Sequence, residues 1–389
     1  MTTSDLPAAR RILIVDNCIA VTGALKAILN TTRALRAEYG AQFDFEFVLP
    51  TGTAALPTVA DEGYVVHTLP FVEISKRPAD LLRYVPALAA NAWRLRRLAR
   101  QRGAALVHLN DFFNLTGIVA KWAGGPKLLT HVRLLPQNFP APLRKLWIAA
   151  DTRYADQVVC VSEAVRAAFP AAPHVEVIGD PLPEREQYPL PAPDGPEGRA
   201  CTGELKLLYL ANYIQGKGHD FAVEAFAGAY AQNPRLRLHF HGGDMGLEKN
   251  RMFKRRLEVR VRELGLTDVV RFGGFVRDVE QAIKSADILL NFSETEAFSL
   301  TCFDALFYGT ALIASDCGGP RELFEHGHSG LLVPNRAVPA MTAAIVELAA
   351  DPTKRARFAE AGRAYVRHKF SPDATYRKLR EVYLTLLAA

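Results

Sequence analysis

The sequence lacks the features that mark membrane, disulfide-rich and metal-binding proteins. Its 389 residues include five cysteines, an odd and scattered number, with no C-x-x-C pair and no histidine nearby at metal-ligand spacing. No run approaches the roughly 18 consecutive apolar residues of a membrane span. The first residues lead into the strand-like ILIVD without the apolar core of a signal peptide. We therefore expect reduced, buried thiols, no metal site and a cytoplasmic protein.

The common nucleotide fingerprints are missing as well. No strand-like run is followed by G-x-G-x-x-G, and no G-x-x-x-x-G-K-[ST] occurs, which disfavours dinucleotide-dependent oxidoreductases and P-loop enzymes. No D-x-D segment is present to chelate a divalent metal. The net charge of +6 favours an anionic partner. Because there is neither a basic tail nor an aromatic RNA-binding signature, we predict phosphorylated small molecules or an anionic membrane face, and no nucleic acid.

Two halves of similar architecture follow from the hydrophobic pattern. Short β-branched or leucine-rich runs alternate with longer segments of helical period, which is typical of parallel α/β units. In the first half the strand-like runs are RILIVD, FDFEFVL, YVVHTL, ALVHL, KLLTHV, QVVCV and VEVIG. In the second half they are LKLLYLA, LRLHFHG, VVRFGG, ILLNF, ALIAS and GLLVP. We predict two doubly wound domains, over 1–182 and 205–370, a proline-rich linker over 183–204, and a C-terminal helix over 371–389 that braces both domains.

Polar residues and glycines gather where the strands of the second half end. Lys217 stands between two glycines before a predicted helix, where an ammonium and backbone N–H groups can meet a phosphate, although a plain surface lysine fits the same spacing. Gly242 follows the next strand, where backbone can approach a ligand closely. Glu296 and Asp304 flank a helix start that suits a diphosphate, and carboxylates accept hydrogen bonds from sugar hydroxyls. The pattern indicates a nucleotide-sugar site at one sheet edge.

The run from Asp287 to Pro334, DILLNFSETEAFSLTCFDALFYGTALIASDCGGPRELFEHGHSGLLVP, resembles the donor-site signature of the family 4 retaining glycosyltransferases. The resemblance continues in YLANYIQGKGHDFAVEAF and VVRFGGFVRDVEQAIKSADI. It implies the GT-B fold, with two facing doubly wound domains, a cleft between them and a C-terminal crossover helix. It also implies metal-independent transfer of a hexose, with retention, from a UDP- or GDP-linked donor to a saccharide or lipid-linked acceptor. Such transfer belongs to the synthesis of cell-envelope polysaccharide or lipopolysaccharide, and no cofactor beyond this co-substrate is implied.

The resemblance also implies roles for particular residues. Glu296 would contact the transferred sugar, and Asp304, in place of the family's glutamate, the nucleotide ribose. Lys217 would hold the donor phosphates. Asn212 stands where the family has an arginine, a charge that Arg144 would replace. The other predicted donor-binding residues are Gly23, Gly242, Phe275, Val276, Phe298, Ser299, Leu300 and Thr301.

Two histidines end strands in the first half, where the family places an active-site histidine. His131, with Arg133 close by, is the preferred candidate. His108, followed by Asn110 and Asp111, is the second. A purely structural role is the alternative for either.

Residues 83–102 form a basic amphipathic segment that includes Trp93, interrupted near its start by Pro86. Such a helix can lie on an anionic membrane surface, although an ordinary solvated face is the plainer interpretation. If it binds the membrane, the acceptor is a lipid-linked saccharide or a lipopolysaccharide core, with the loop over 134–145 shaping its site.

Two other functions remain compatible with the sequence. A sugar-nucleotide epimerase shares the architecture but lacks the loop with paired acids. A nucleotide-sugar-binding subunit that has lost catalysis would explain Asp304 and Asn212, which depart from the family pattern.

Overall fold

A computed structural model of the chain describes residues 10–40, 42–72, 78–180, 203–276 and 278–388. The chain divides into two compact units, Met1–Glu184 with Phe370–Ala389 and Arg185–Lys369. The predicted linker over 183–204 lies outside the described residues except for its last two positions. Each unit is built around one parallel sheet.

The first unit contains a seven-stranded sheet in the order β3-β2-β1-β4-β5-β6-β7, with every neighbouring pair parallel. Because the strand order reverses between β1 and β4, the loops after these strands open a crevice at the carboxyl edge. The strands are β1 (Arg10–Val15), β2 (Phe43–Pro50), β3 (Val65–Leu69), β4 (Ala104–Leu109), β5 (Lys127–Val132), β6 (Gln157–Cys160) and β7 (Val175–Val177).

Helices connect successive strands of this sheet, as parallel pairing requires. They are α1 (Gly23–Tyr39), α2 (Leu56–Asp61), α3 (Pro78–Arg102), α4 (Thr116–Trp122), α5 (Ala141–Tyr154) and α6 (Glu163–Arg166). The expectation that Pro86 interrupts the start of the basic helix was wrong, because α3 begins eight residues earlier and continues through this proline. A proline inside a helix removes one backbone hydrogen bond, which the 25-residue length of α3 tolerates.

The second unit likewise contains one parallel sheet, with six strands in the order β10-β9-β8-β11-β12-β13. The strands are β8 (Leu205–Leu210), β9 (Leu236–His241), β10 (Val270–Phe272), β11 (Ile288–Asn291), β12 (Ala311–Ser315) and β13 (Leu331–Val333). The helices are α7 (His219–Tyr230), α8 (Glu248–Glu263), α9 (Val279–Lys284), α10 (Leu300–Tyr308), α11 (Val338–Ala350) and α12 (Pro352–Lys369). Here the order reverses between β8 and β11, and their loops meet at the carboxyl edge.

The last helix, α13 (Pro372–Ala388), belongs to the first unit. Its apolar side chains Tyr376, Leu379, Tyr383 and Leu386 join the buried cluster around β1 and β2. The predicted role of this helix in bracing both domains stays a prediction.

Each of the thirteen predicted strand segments coincides with a strand to within two residues, which confirms the predicted α/β fold. Within the described ranges, no helix is long and apolar enough to span a bilayer.

Candidate functional site

The loop that carries Lys217 is tied to the end of a neighbouring strand. Gly218 caps α7 with a φ of 72°, and a Cβ there would lie 1.9 Å from the carbonyl oxygen of Phe292. The buried Tyr209 hydroxyl donates to the Lys217 carbonyl oxygen at 2.6 Å and accepts from the Phe292 N–H at 2.9 Å. The backbone beneath the lysine is therefore fixed, while its side chain remains one-third exposed.

Glu296 lies directly beside this lysine. Its Oε1 accepts a hydrogen bond from Lys217 Nζ and another from Ser293 Oγ, each at 2.8 Å. The glutamate's backbone is pinned too, because its N–H donates to the Cys317 carbonyl at 3.1 Å and its own carbonyl accepts from Gly319 N–H at 2.8 Å. The structure thus brings together the two residues of the second half that were predicted to be catalytic.

The start of α10 is held in an unusual backbone conformation. Ser299, its N-cap, has a φ of 76°, a region that non-glycine residues seldom adopt. Asn291 Nδ2 donates to the Ser299 hydroxyl at 3.1 Å, and the same hydroxyl accepts from Cys302 N–H at 3.4 Å. Asn291 Oδ1 also accepts from Ser293 N–H at 3.3 Å, so one buried amide joins both ends of the loop that carries Glu296.

The remaining predicted donor residues on this helix follow the strained cap. Phe298 and Ser299 are buried, whereas Leu300 and Thr301, in the first turn, are half-buried. Asp304 lies one turn further along and is also half-buried. The first N–H groups of α10 and the positive end of its dipole suit a phosphate.

Asn212 closes a neighbouring turn. Its Oδ1 accepts from Gly243 N–H at 3.0 Å, and a Cβ at Gly242 would lie 1.8 Å from the Ala211 carbonyl oxygen. This asparagine therefore has a structural use at the position where the family has an arginine. Phe275 is two-thirds exposed after β10, and Val276 beside it is half-buried.

In the first unit, the candidate histidines form a buried cluster at the carboxyl ends of β4 and β5. The rings of His108 and His131 stack with centroids 5.5 Å apart. His108 Nδ1 lies 2.7 Å from the Tyr383 hydroxyl of α13. Arg133 contacts His131 Nδ1 through Nη2 at 3.3 Å and Asn110 Oδ1 through Nε at 2.6 Å.

Burial sets the protonation of this cluster. Desolvation, with the Arg133 charge adding to it, lowers the pKa of His108 to about 3 and that of His131 well below its usual value. Both imidazoles are therefore neutral near pH 7. Desolvation raises the pKa of Asp111 to about 7 and also raises the pKa of Asp16. The cluster is thus less charged than its composition indicates.

Two predicted residues of the first unit lie apart from these hydrogen bonds. Gly23 begins α1, which Thr22 caps by accepting from Leu25 N–H at 3.2 Å. Arg144 is half-exposed on α5. The role of either in donor binding stays a prediction.

Several residues that support the site were missed at the sequence level. Asn291 and Ser293 could have been found, because polar residues at the end of an apolar strand are a signal of a site. Tyr209 could not, because a tyrosine inside a strand carries no such signal. Within the described part of the chain, no group of three or more histidines, cysteines and acidic residues could hold a metal ion.

Two parallel doubly wound units, with a C-terminal helix and an acid–lysine pair at one carboxyl edge, define the GT-B class. Anabaena Alr3699/HepE in complex with UDP and glucose has a similar structure, with a TM-score of 0.78 at 19% identity over 97% of this chain and all of that one. Sucrose-phosphate synthase from Thermosynechococcus elongatus gives 0.75 at 20% identity, covering 97% of this chain and 100% of that one. At such identities the likeness establishes the fold.

Family membership is established by comparison of the sequence with family models. Residues 197–365 match the model for Glycosyl transferases group 1, and residues 22–179 match the Glycosyl transferase 4-like domain. The chain belongs to the group 1 glycosyltransferases.

Curated relatives match over shorter stretches. D-inositol 3-phosphate glycosyltransferase of Thermobispora bispora is 31% identical over 51% of this chain and 47% of that protein. Lipopolysaccharide core biosynthesis mannosyltransferase LpcC of Rhizobium leguminosarum bv. viciae is 31% identical over 35% of this chain and 38% of that protein. In both, the match spans less than half of the relative's length.

Proposed function

We propose that this chain is a retaining, metal-independent glycosyltransferase. It moves a hexose from a UDP- or GDP-linked donor to a saccharide or lipid-linked acceptor in the synthesis of cell-envelope polysaccharide or lipopolysaccharide. The observation that carries the proposal is the Lys217–Glu296 pair, which lies beside the N-terminus of α10. Cation, carboxylate and oriented N–H groups are what transfer of a sugar from a diphosphate requires.

The reaction breaks the bond between the anomeric carbon and the diphosphate oxygen and forms one to an acceptor hydroxyl. Negative charge grows on the departing diphosphate, where Lys217 and the first N–H groups of α10 stabilise it. Oxocarbenium character grows on the sugar ring, which Glu296 contacts through hydroxyl groups. The acceptor proton passes to the departing phosphate oxygen when attack comes from the same face as departure, which gives retention.

The other predicted residues complete donor binding in this proposal. Asp304 holds the ribose, and the main chain of Phe275 and Val276 reads the base. Arg144 supplies the phosphate charge that Asn212 does not. Gly23 and Gly242 allow backbone to approach the donor closely. His131 contributes a polar contact to the sugar.

Names of relatives support the substrate class. One solved structure of similar fold is described with UDP-glucose bound, and another is a lipopolysaccharide outer core galactosyltransferase, WaaB. A lipopolysaccharide core biosynthesis glycosyltransferase, LpsE of Rhizobium meliloti, is 25% identical over 47% of this chain and 49% of that protein. These names favour a sugar acceptor of the cell envelope.

The decisive experiment is a thermal-shift screen against UDP, GDP, ADP and CMP sugars, followed by product analysis. A ligand at 100 times its Kd stabilises the native state by about 2.7 kcal/mol, so the true donor should raise the melting temperature clearly. Transfer or slow hydrolysis of the stabilising donor should then follow, and should fall in Glu296→Gln. An epimerised sugar would identify an epimerase. If the protein binds the donor but transfers its sugar to no acceptor, and if Glu296→Gln binds the donor equally well, the chain is a binding subunit.

The proposal also includes peripheral contact with an anionic membrane at the cytoplasmic face. Leu82, Val85 and Trp93 of α3 are 80%, 65% and 59% exposed and share one stripe at helical spacing. Arg97 stacks over Trp93 at 5.5 Å, and Arg100 lies on the same stripe. Exposed apolar side chains among arginines suit the headgroup region of anionic lipid.

Vesicle flotation tests this contact. The protein should float with vesicles that contain anionic lipid and not with neutral ones, and a Leu82→Ser/Trp93→Ser variant should stay in solution. Equal flotation of the variant would exclude α3 as the contact.

A further inference from the structure

Arg133 is a buried arginine whose three nitrogen positions each have a separate partner. Its side chain is 3% exposed. Nε donates to Asn110 Oδ1 at 2.6 Å, Nη1 donates to Asp180 Oδ1, and Nη2 lies 3.3 Å from His131 Nδ1. Its backbone N–H also donates to Asp111 Oδ1 at 3.4 Å. A guanidinium held at Nε, Nη1 and Nη2 cannot easily turn away from the histidine.

This contact determines which nitrogen of His131 carries the proton. A guanidinium has only donors and keeps its charge at any ordinary pH, so His131 Nδ1 must be the acceptor and must lack a proton. A neutral imidazole has one N–H, which is then at Nε2. His131 Nε2 is buried and has no hydrogen-bond partner within the described residues.

We infer that Arg133 is a positioning residue that fixes His131 as a neutral imidazole whose Nε2–H donates to an oxygen of a bound sugar. The inference rests on the proposed glycosyl transfer for the identity of that ligand. It assigns His131 the work of a hydrogen-bond donor and excludes it as a general base, because Nδ1 is occupied by Arg133 and Nε2 already holds the proton. An unpartnered N–H in a buried position costs stability, and a ligand oxygen removes that cost.

The groups around the imidazole agree with this assignment. His108 of β4 stacks on it and bonds Tyr383 of α13 through Nδ1. Arg133 places a full positive charge beside the ring, and the nearby carboxyls of Asp111 and Asp180 bond to Arg133. No carboxylate hydrogen bond to His131 occurs among the described residues, so a protonated imidazole has no partner there.

Nitrogen NMR of protein labelled with 15N-histidine tests the inference without any substrate. His131 should show a protonated Nε2 and an unprotonated Nδ1, and should stay neutral from pH 8 down to pH 5. Its signals are identified by their loss in His131→Gln. A protonated Nδ1, or protonation of the ring near pH 6, would overturn the inference.

A second experiment measures how much the Nε2–H of His131 contributes to catalysis. The amide of glutamine can place a donor near the Nε2 position, so His131→Gln should retain about 10-fold more kcat/KM than His131→Leu, the equivalent of about 1.4 kcal/mol. Equal loss in both would overturn the donor role. The variant Arg133→Met/Asp180→Asn removes a buried charge pair together and should let the Nδ1–H form of His131 appear in the spectrum. If no donor is ever turned over, the proposed function fails while the NMR result stands.

Discussion

Lys217 Nζ and Glu296 Oε1 lie 2.8 Å apart although the residues are 79 positions apart in the chain. Each comes from a loop after a central strand of the second sheet, β8 for the lysine and β11 for the glutamate. These strands are neighbours at the point where the strand order reverses, so the fold itself creates the pair. In the proposed transfer, the cation of this pair serves the diphosphate and the carboxylate serves the sugar.

Replacement of Lys217 by alanine should reduce kcat by about 10²–10³-fold, a loss typical of removing one preorganised electrostatic contact, with a smaller change in the KM of the donor. The reason is that charge on the diphosphate grows only as the bond breaks. Steady-state kinetics with the donor found in the thermal-shift screen measures both parameters.

The matched control is Arg260→Ala, which breaks an exposed ion pair with Glu224 elsewhere in the same unit. It should leave kcat unchanged, since exposed pairs contribute little. If Lys217→Ala raised KM alone and spared kcat, the lysine would bind donor and transition state equally, and its proposed catalytic role would be wrong.

Gly218 should tolerate no side chain. Both Gly218 and Gly265 have a positive φ, 72° and 68°, but a Cβ at Gly218 would meet the Phe292 carbonyl at 1.9 Å, whereas Gly265 has nothing within 4 Å. Gly265→Ala should therefore cost only the backbone penalty of about 1–2 kcal/mol. Gly218→Ala should cost more than about 4 kcal/mol, because backbone must move. Urea unfolding followed by circular dichroism compares them, and equal losses would show that the close approach is unimportant.

The sequence predicted the strands well, and it predicted two residues of the candidate site that the structure brings together, for reasons visible in particular residues. Runs such as ILLNF and ALIAS are short, apolar and bounded by polar residues, so their period and length identify buried parallel strands. Lys217 and Glu296 were singled out because strand ends in such sheets commonly form a ligand site, and the structure brings these two residues together. The local hydrophobic pattern and the general topology of parallel sheets were sufficient to predict these strands and these two residues.

What sequence could not predict depends on side chains that meet across the fold. The bond from Tyr383 to His108 joins residues 275 positions apart, and nothing near either one signals it. Likewise, nothing near Ser299 signals its positive φ or its hydrogen bond from Asn291, because a serine by itself indicates only an ordinary helix cap. The path of α3 through Pro86 is a third example, because this long helix buries Ala92, Leu95 and Ala99 and tolerates the loss of one backbone hydrogen bond.

Ser299→Gly should separate stability from activity. Glycine adopts the φ of 76° without the roughly 1–2 kcal/mol penalty of a left-handed backbone, and the loss of a serine cap to glycine costs only a few tenths of a kcal/mol. The variant should therefore be as stable as the parent or more so. Its kcat/KM should nevertheless fall, because Asn291 loses the hydroxyl that orients the first turn of α10.

Melting temperature and kinetics measured on the same preparation check this prediction. Asn291→Asp is the companion variant, since aspartate still accepts from Ser293 N–H but cannot donate to Ser299. A Ser299→Gly protein that is clearly less stable would show that the hydroxyl bonds outweigh the strain.

Buried histidines and buried carboxyls of the first unit should make its stability respond to acid in opposite directions. The pKa of His108 is about 3 in the folded protein against 6.5 ordinarily, so between these values the unfolded chain binds a proton that the native state refuses. The stability that His108 contributes should therefore fall as pH drops below 6.5, by up to about 1.4 kcal/mol per pH unit. Asp111 acts in the opposite direction, because its native pKa of about 7 lets the folded state bind a proton first. The pKa values of Asp16 and Asp151 are also raised by burial, so these carboxyls act in the same direction as Asp111.

Urea unfolding at pH 6.5, 5.5 and 4.5 tests this balance. All three tryptophans lie in the first unit, so their fluorescence reports the unfolding of that unit. Relative to the parent, His108→Asn should gain about 1.4 kcal/mol of stability for each pH unit of acidification, whatever its effect at pH 7. Asp111→Asn should lose a similar amount of stability per pH unit relative to the parent, since proton uptake by the folded state is gone. Parallel pH profiles for the parent and both variants would mean that neither group keeps a shifted pKa in the native state.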